Sequence, residues 1–183
     1  MQAQIISAPK SFKLCDRIDI TNGYVTGLTT DSNDNLVITS RDRLLSYSEN
    51  GKFINECKLG GDAWGVSFHS MSGNVVVALQ ENEPISDVVH CIIYDGNQTF
   101  TFNSSALEMP NGIATDRSGN VYVVGRDSNN IHRLSTNGKK SEVVLGPADG
   151  IKDPCAICFS RDYRKLFLSN EDGASVYVYE CRY

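Results

Sequence analysis

The chain has 183 residues, of which 40% are hydrophobic and 21% charged, and its formal net charge is −5. This composition excludes an intrinsically disordered chain, and the negative charge disfavours nonspecific attraction to DNA, RNA or an anionic membrane. Residues before Gly112 carry nearly all of the acidic excess. No apolar run approaches the roughly 20 residues that a membrane-spanning helix needs. The first ten residues lack the basic region and apolar core of a signal peptide, which predicts a cytoplasmic location.

The six cysteines are irregularly spaced, and five of them lie in or beside apolar strand patterns. We therefore predict reduced cysteines that pack as small hydrophobic residues. Cys155 and Cys158 form a C-x-x-C pattern, which can indicate zinc or redox chemistry. Residues three apart in a strand point to opposite faces, however, and no second such pair or paired histidines accompany them. The sequence therefore predicts no metal site and no cofactor.

The predicted elements are short strands separated by turns. Residues 1–23 contain one strand, at 12–20, and the remaining chain divides into four units, at about 24–61, 62–108, 109–152 and 153–183. Each unit begins with an apolar strand, a tight polar turn and a second strand, followed by a loop and a third strand. A fourth strand follows in the first three units only. In the second unit, residues 80–87 read as a long acidic loop, because Pro84 and three acidic residues interrupt the strand pattern.

The units repeat in register. Leu28, Val66, Ile113 and Ile157 occupy matching positions about 38, 47 and 44 residues apart, and the second strand starts eight or nine residues after each. A repeat of roughly 40–45 residues with four strands is typical of propeller blades. The predicted fold is therefore all-β, a β-propeller of four-stranded antiparallel blades with about four blades present.

The third unit carries a family resemblance. Residues 110–116, 119–124 and 130–134 resemble an NHL repeat, and the other units look like degenerate copies of it. Over residues 24–180 the chain is similar to the C-terminal propeller of tripartite-motif (TRIM) or B-box proteins of the expanded invertebrate type. Such propellers have six blades, so the resemblance implies part of a longer protein. It also implies partner recruitment in the ubiquitin pathway, although this chain contains no RING or B-box pattern that could supply ligase activity.

The strand predicted at 12–20 has two interpretations. It could complete the fourth unit beside 175–179 and so protect an exposed sheet edge. Alternatively, it is the remnant of a preceding blade, which we favour because four-bladed closure is uncommon.

In a propeller, the loops after the second and fourth strands share one face, which is the usual binding surface. A mosaic of charges on that face suits protein or peptide recognition. Trp64 begins an innermost strand, where it serves either as a packed residue or as a binding anchor. The predicted binding residues are Arg41, Arg43, Trp64, Arg126, Asn129, Asn130, Asn170, Glu171 and Asp172.

Two other functions have sequence arguments. RNA binding on the same face would use Arg41, Arg43 and Arg126, which are few cations for a phosphate footprint. A metal-dependent, lactonase-like hydrolase would need a ring of carboxylates. Asp31 and Asp116 are carboxylates at matching positions, but turn capping explains them better. With no Ser/His/Asp or Cys/His set either, we predict that the chain is not an enzyme.

Overall fold

The computed structural model describes residues 25–48, 51–69, 72–82, 85–92, 98–160 and 162–181. Within this part of the chain the structure is all β apart from a 3₁₀ turn at Pro147–Asp149. None of its helical residues forms a segment long and apolar enough to cross a membrane. The strand predicted at 12–20 lies outside the described residues, so neither interpretation of it is tested.

The first two blades are antiparallel sheets of four strands in sequence order. Blade one consists of β1 Gly27–Thr30, β2 Leu36–Ser40, β3 Arg43–Tyr47 and β4 Phe53–Lys58. Blade two consists of β5 Gly61–His69, β6 Asn74–Asn82, β7 Ile85–Ile92 and β8 Gln98–Asn103.

The other two sheets follow the same plan. Blade three consists of β9 Pro110–Thr115, β10 Val121–Gly125, β11 Asn130–Leu134 and β12 Ser141–Leu145. Blade four has three described strands, β13 Ile157–Phe159, β14 Lys165–Asn170 and β15 Ser175–Glu180. The predicted fold class is confirmed.

The prediction of an acidic loop at 80–87 is wrong. Strands β6 and β7 stay paired to the hairpin end, where Gln80 pairs with Asp87 and Asn82 pairs with Ile85. The polar composition suggested a loop, but backbone pairing in a hairpin does not require apolar side chains. Residues 80–82 and 85–87 of the predicted loop therefore belong to strands.

The core lies between consecutive blades, in three interfaces that we call the first, second and third seams. Val37 and Val77 are fully buried in the first seam, and Val123 and Leu134 in the second. Ile131 and other apolar residues of blades three and four fill the third. Burying one such side chain contributes about 1.5–3 kcal/mol, so the seams hold the sheets together.

The innermost strands of neighbouring blades approach each other at glycines. A Cβ at Gly112 would lie 2.6 Å from the carbonyl oxygen of Cys155, and one at Gly65 would overlap the carbonyl of Asn111. The N–H of Gly112 donates to the same Cys155 oxygen at 2.9 Å. Only glycine permits this approach.

The four matching apolar positions of the repeat share one space. Leu28, Val66, Ile113 and Ile157 all line a cleft of about 380 Å³ between the innermost strands. The strands therefore face a common axis, as the propeller prediction requires.

No disulfide joins the cysteines that the structure describes. Cys91 is buried and Cys57 and Cys181 are half-buried, in line with a packing role. Cys158 is exposed, so the prediction that it packs in the core is wrong. It lines the cleft between the innermost strands.

Candidate functional site

The loop face is the surface formed by the loops after second strands and by the connections between blades. Its described segments are 41–42, 59–60, 104–109, 126–129, 146–156 and 171–174. The tight turns after first strands lie at the opposite ends of the same strands, and we call that surface the turn face. The two surfaces differ in how their polar side chains are used.

In blade one, the two predicted arginines occupy different environments. Arg41 is exposed at a left-handed backbone position with φ of 54°, and its carbonyl accepts from the N–H of Ala63 at 2.9 Å. Arg43 begins β3, is half-buried and forms an ion pair with Glu56 at 3.7 Å. Of the two, Arg41 is the one whose side chain is exposed on the loop face.

In blades three and four, an ion pair joins the loops. The guanidinium of Arg126 donates to the carboxylate of Asp172 at 2.6 Å, and this hydrogen bond raises the pKa of Arg126. The N–H of Asp172 donates to the carbonyl of Asp153 at 3.0 Å, and the N–H of Asp153 donates to the side chain of Asn129 at 2.6 Å. Glu171, also exposed, donates its N–H to the Lys152 carbonyl at 2.7 Å. Three separate segments therefore form one connected surface.

Two of the predicted binding residues are buried and already occupied. Asn170 is 0% exposed; its amide oxygen accepts from the N–H of Lys152 at 2.9 Å and its NH₂ donates to the carbonyl of Gly150 at 3.1 Å. Asn130 is 8% exposed and donates to the carbonyl of Ala106 at 2.8 Å. Neither side chain is available to a partner. Both asparagines hold the connections between blades in place.

Trp64 lies within strand β5, at a bulge between Ala63 and Gly65. It is half-buried, and its indole N–H is buried without a hydrogen-bond partner among the described residues. A packed position in the strand fits these features, and the bulge turns the residue out of the regular register.

The joined loops are predominantly acidic. Segments 104–109, 126–129, 146–156 and 171–174 contain six acidic residues and two basic residues. Arg126 is one of the two basic residues, and its ion pair with Asp172 neutralises it. The sequence analysis grouped Arg126 with Arg41 and Arg43 as cations of one face, but the structure places Arg126 inside an acidic surface.

On the turn face, the carboxylates cap their own turns, as the sequence predicted. One carboxylate oxygen of Asp116 accepts from the N–H groups of Ser118 and Asn120 at 2.8 and 2.9 Å, and the other accepts from the amide of Asn120. Asp31 makes the matching set of bonds to Asn33 and Asn35.

His69 replaces the capping aspartate in blade two. It is 1% exposed, and its Nε2 lies 2.7 Å from the carbonyl of Gly119 in blade three. Since a carbonyl can only accept, Nε2 donates this bond. The histidine therefore links two blades. The described residues contain no group of three or more His, Cys, Asp or Glu side chains arranged to hold a metal ion.

Loop-face residues outside the predicted binding set include Glu108, Asp127 and Lys152. All three are exposed, and they lie in the loops that the hydrogen bonds bring together. A charge count over the loops alone, rather than over the whole C-terminal half, could have identified them.

Comparison with known families supports the repeat assignment. A family described as a β-propeller repeat matches residues 108–131, at the start of the third repeat. The match is to a propeller repeat in general, and it does not distinguish an NHL repeat from other kinds. No curated protein sequence matches the chain significantly.

Solved structures of similar shape were also found. A streptogramin B lyase aligns with a TM-score of 0.63 and 16% identity, over 91% of this chain and 57% of the lyase. Virginiamycin B lyase from Staphylococcus aureus gives the same TM-score and identity, over 91% of this chain and 58% of the lyase. A protein of unknown function from Bacteroides thetaiotaomicron gives a TM-score of 0.65 at 14% identity, over 86% of this chain and 41% of that protein. The chain therefore spans less than three fifths of the lyases, and the likeness concerns the fold alone.

Proposed function

We propose that the chain is a non-catalytic interaction module whose loop face recognises a protein or peptide that carries basic residues. One observation carries the proposal: the loops of blades three and four form a connected surface, joined by the Arg126–Asp172 ion pair at 2.6 Å, with six acidic and two basic residues. A surface that is ordered before binding loses little conformational entropy on association. Its acidic charge favours cationic partners and sets their orientation.

The TRIM-type role belongs to this proposal. Residues 110–134 resemble an NHL repeat, and in a TRIM-type protein such a module recruits the partner on which a ligase elsewhere in the polypeptide acts. The cytoplasm is the compartment in which that role would be performed.

RNA binding on the same face is the alternative. It would require the phosphates to approach a surface with an excess of carboxylates, which electrostatic repulsion opposes. A hydrolase is a weaker candidate, because the carboxylates of Asp31 and Asp116 are engaged in capping their turns.

A peptide array tests the proposal. The chain would be applied to an array of random 12-residue peptides, and the strongest binders would be measured in solution by fluorescence anisotropy. A 12-nucleotide single-stranded RNA would be measured in parallel. We expect the selected peptides to be enriched in Lys and Arg over the library, and the RNA to bind more weakly than they do.

Matched variants connect the binding to the loop face. Glu108→Gln combined with Asp127→Asn removes two loop-face charges, and we expect the selected peptides to bind roughly five- to tenfold more weakly. The control, Asp34→Asn combined with Asp162→Asn, removes two exposed charges on the turn face and should leave affinity unchanged. Selected peptides no more basic than the library, or RNA binding that Arg126→Glu abolishes, would contradict the proposal.

A further inference from the structure

The turn face of blades three and four carries a cluster of exposed cations, which we call the basic turns. Its members are Arg117, Lys139, Lys140 and Arg164. Arg164 lies 3.9 Å from the carboxylate of Asp162 while 84% of its side chain stays exposed. The other three cations form no ion pair with any described residue. Most of this positive charge is therefore available to a partner.

The carboxylates of the same turns offset little of that charge. Asp116 is 3% exposed and caps its own turn. Asp162 is exposed, and it accepts from the hydroxyl of Ser160 at 2.7 Å and from the N–H of Arg164 at 3.1 Å. The described residues of these turns therefore present four cations against one exposed carboxylate.

Contacts between the turns hold the cations on one surface. The hydroxyl of Thr136 donates to the carbonyl of Ser118 at 3.2 Å, which joins the two turns of blade three. Arg117 of blade three and Arg164 of blade four line one hollow of about 650 Å³. The basic turns are therefore a continuous surface that extends across both blades.

The same two blades carry the opposite charge at the other ends of their strands. Residues 112–183 contain nine acidic and ten basic residues, so this part of the chain is nearly neutral. Five of those acidic residues and only two of the basic ones lie in the loop-face segments, where Glu108 adds a sixth carboxylate. Charge is therefore segregated to the two ends of the same strands.

The position of the two surfaces suits a second copy of the chain. They lie about one strand length apart, roughly 17–20 Å, because the strands of a blade run from one face to the other. A copy displaced along the strands brings its loop face onto the turn face of the next copy. Opposite charges then meet over the same two blades, which favours this orientation over others.

We propose that two copies of this chain dock head to tail, with the acidic loop face of one on the basic turns of the other. This docking rests on the proposed function, because it identifies a second copy as the basic partner of the loop face. Each docked pair leaves one face free at either end, so association continues into open stacks. A contact confined to turns and loops of two blades belongs to the small interfaces, below about 1,200 Å², which are weak.

Sedimentation equilibrium of the full chain measures the association. In about 50 mM NaCl, we expect the weight-average mass to stay near the 20.1 kDa of the monomer at about 20 μM chain. It should exceed twice that mass at about 1 mM. In about 0.5 M NaCl it should stay near the monomer at both concentrations, because salt screens the charges.

Two variants separate the faces. The loop variant carries Glu108→Lys and Asp127→Lys, which leaves its loop face with four acidic and four basic residues. The turn variant carries Arg117→Glu and Lys139→Glu, which removes the positive excess of the basic turns. Each variant alone should stay monomeric. Mixed in equal amounts, they should form pairs of about twice the monomer mass and nothing larger, because each contributes one intact face.

A matched control reverses the same number of charges in blade one. Lys52→Glu combined with Lys58→Glu alters two exposed lysines and changes the net charge as much as the turn variant does. We expect this control to associate as the unmodified chain does. Monomeric behaviour of the control would show that net charge, rather than the basic turns, governs association, and would overturn the proposal.

Other outcomes would also overturn head-to-tail docking. These are an unmodified chain that stays monomeric at about 1 mM in low salt, association of either variant alone, and a mixture of folded variants that forms no pairs. Binding of a 12-nucleotide RNA to the basic turns of a chain that stays monomeric would assign that surface to nucleic acid instead. Should a variant fail to fold, the mass of the unmodified chain at the two salt concentrations still decides.

The peptide array separates this docking from the proposed function. A chain that selects basic peptides on its loop face but stays monomeric would retain the proposed function and lose the head-to-tail docking. A chain that selects no basic peptides would lose the proposed function itself. Where both hold, an excess of a selected basic peptide should return the stacked chain to the monomer mass, because the peptide occupies the loop face.

Discussion

The second and third seams are alike at their inner ends and different at their outer ends. At the inner end, Gly65 and Gly112 each let the next innermost strand approach to backbone contact. At the outer end, the Phe100 ring closes the second seam, whereas the third seam carries an ion pair between Arg133 and Glu142 beside an open groove.

This difference shows which positions of the repeat tolerate changes in sequence and which do not. Packing of neighbouring blades around an axis requires the inner contacts, because a side chain there would force the strands apart. The outer ends are far enough from the axis for the seam to be either filled or left open. Special properties of individual blades are therefore expected at the outer ends and in the loops.

The largest loss of stability should follow from substitutions at the inner contacts between blades. Gly112→Val would push against the carbonyl of Cys155, and Gly65→Val against that of Asn111, so each should lower the free energy of unfolding by about 3 kcal/mol or more. Ala156, at the matching position of blade four, is exposed. Ala156→Val should change stability by less than about 0.5 kcal/mol. Urea denaturation of the three variants checks this, and equal effects would show that the inner contacts are not specific.

Truncating a side chain at the outer end should destabilise the chain more in the second seam than in the third. Phe100→Ala opens the second seam and should cost about 2 kcal/mol, somewhat less than a fully buried ring because Phe100 is half-buried. Glu142→Ala, at the matching position in the third seam, removes a largely exposed ion pair and should cost about 0.5 kcal/mol or less. Similar losses in urea denaturation would mean that the third seam is sealed as tightly as the second.

The two buried asparagines that hold the connections between blades should contribute unequally to stability. Asn170→Ala leaves the N–H of Lys152 and the carbonyl of Gly150 without their side-chain partner, at a cost of about 2 kcal/mol. Asn130→Ala should cost about 1 kcal/mol, because His132 still donates to the Ala106 carbonyl. Thermal unfolding checks the order, and faster amide exchange at 150–152 in Asn170→Ala would show that the loop has loosened. A larger loss for Asn130→Ala would contradict this reading.

Alkaline pH should destabilise the folded chain through two tyrosines of the third seam, Tyr122 and Tyr179. Burial raises the pKa of Tyr122 and of Tyr179 above the ordinary 10.0, so both keep their protons longer in the folded chain than in the unfolded one. The resulting stability is fully present below pH 10.0 and is lost as pH rises through the folded pKa values. We expect the free energy of unfolding to fall above about pH 10, less steeply in Tyr122→Phe. A curve that stays flat to pH 11 would contradict this expectation.

Much of the fold could be predicted from local sequence. The turn at Asp116 has a side chain that caps it, and Pro110 begins a strand, as expected for a residue that cannot donate to a ladder. The hairpin at 80–87 could not be predicted, because its polar residues are held by cross-strand backbone bonds. The amino-acid composition of a short segment does not show whether its backbone pairs with another strand.

The candidate site was less predictable for the same physical reason. Arg126 and its ion-pair partner Asp172 lie 46 residues apart in the sequence, and His69 bonds to a carbonyl 50 residues away. Sequence spacing placed Asn130 and Asn170 at loop boundaries, but only the packing of the loops makes their amides structural. An alignment of the repeats could have shown that a charged residue replaces Phe100 at Glu142.

The most direct test of the recognition surface maps bound peptide onto the chain. A basic peptide selected from the array would be titrated into the ¹⁵N-labelled chain, and backbone shifts would be followed by NMR. We predict shifts at 108, 126–129, 149–153 and 171–174. Shifts concentrated on the turn face, at 31–35 and 116–120, would contradict recognition by the loop face.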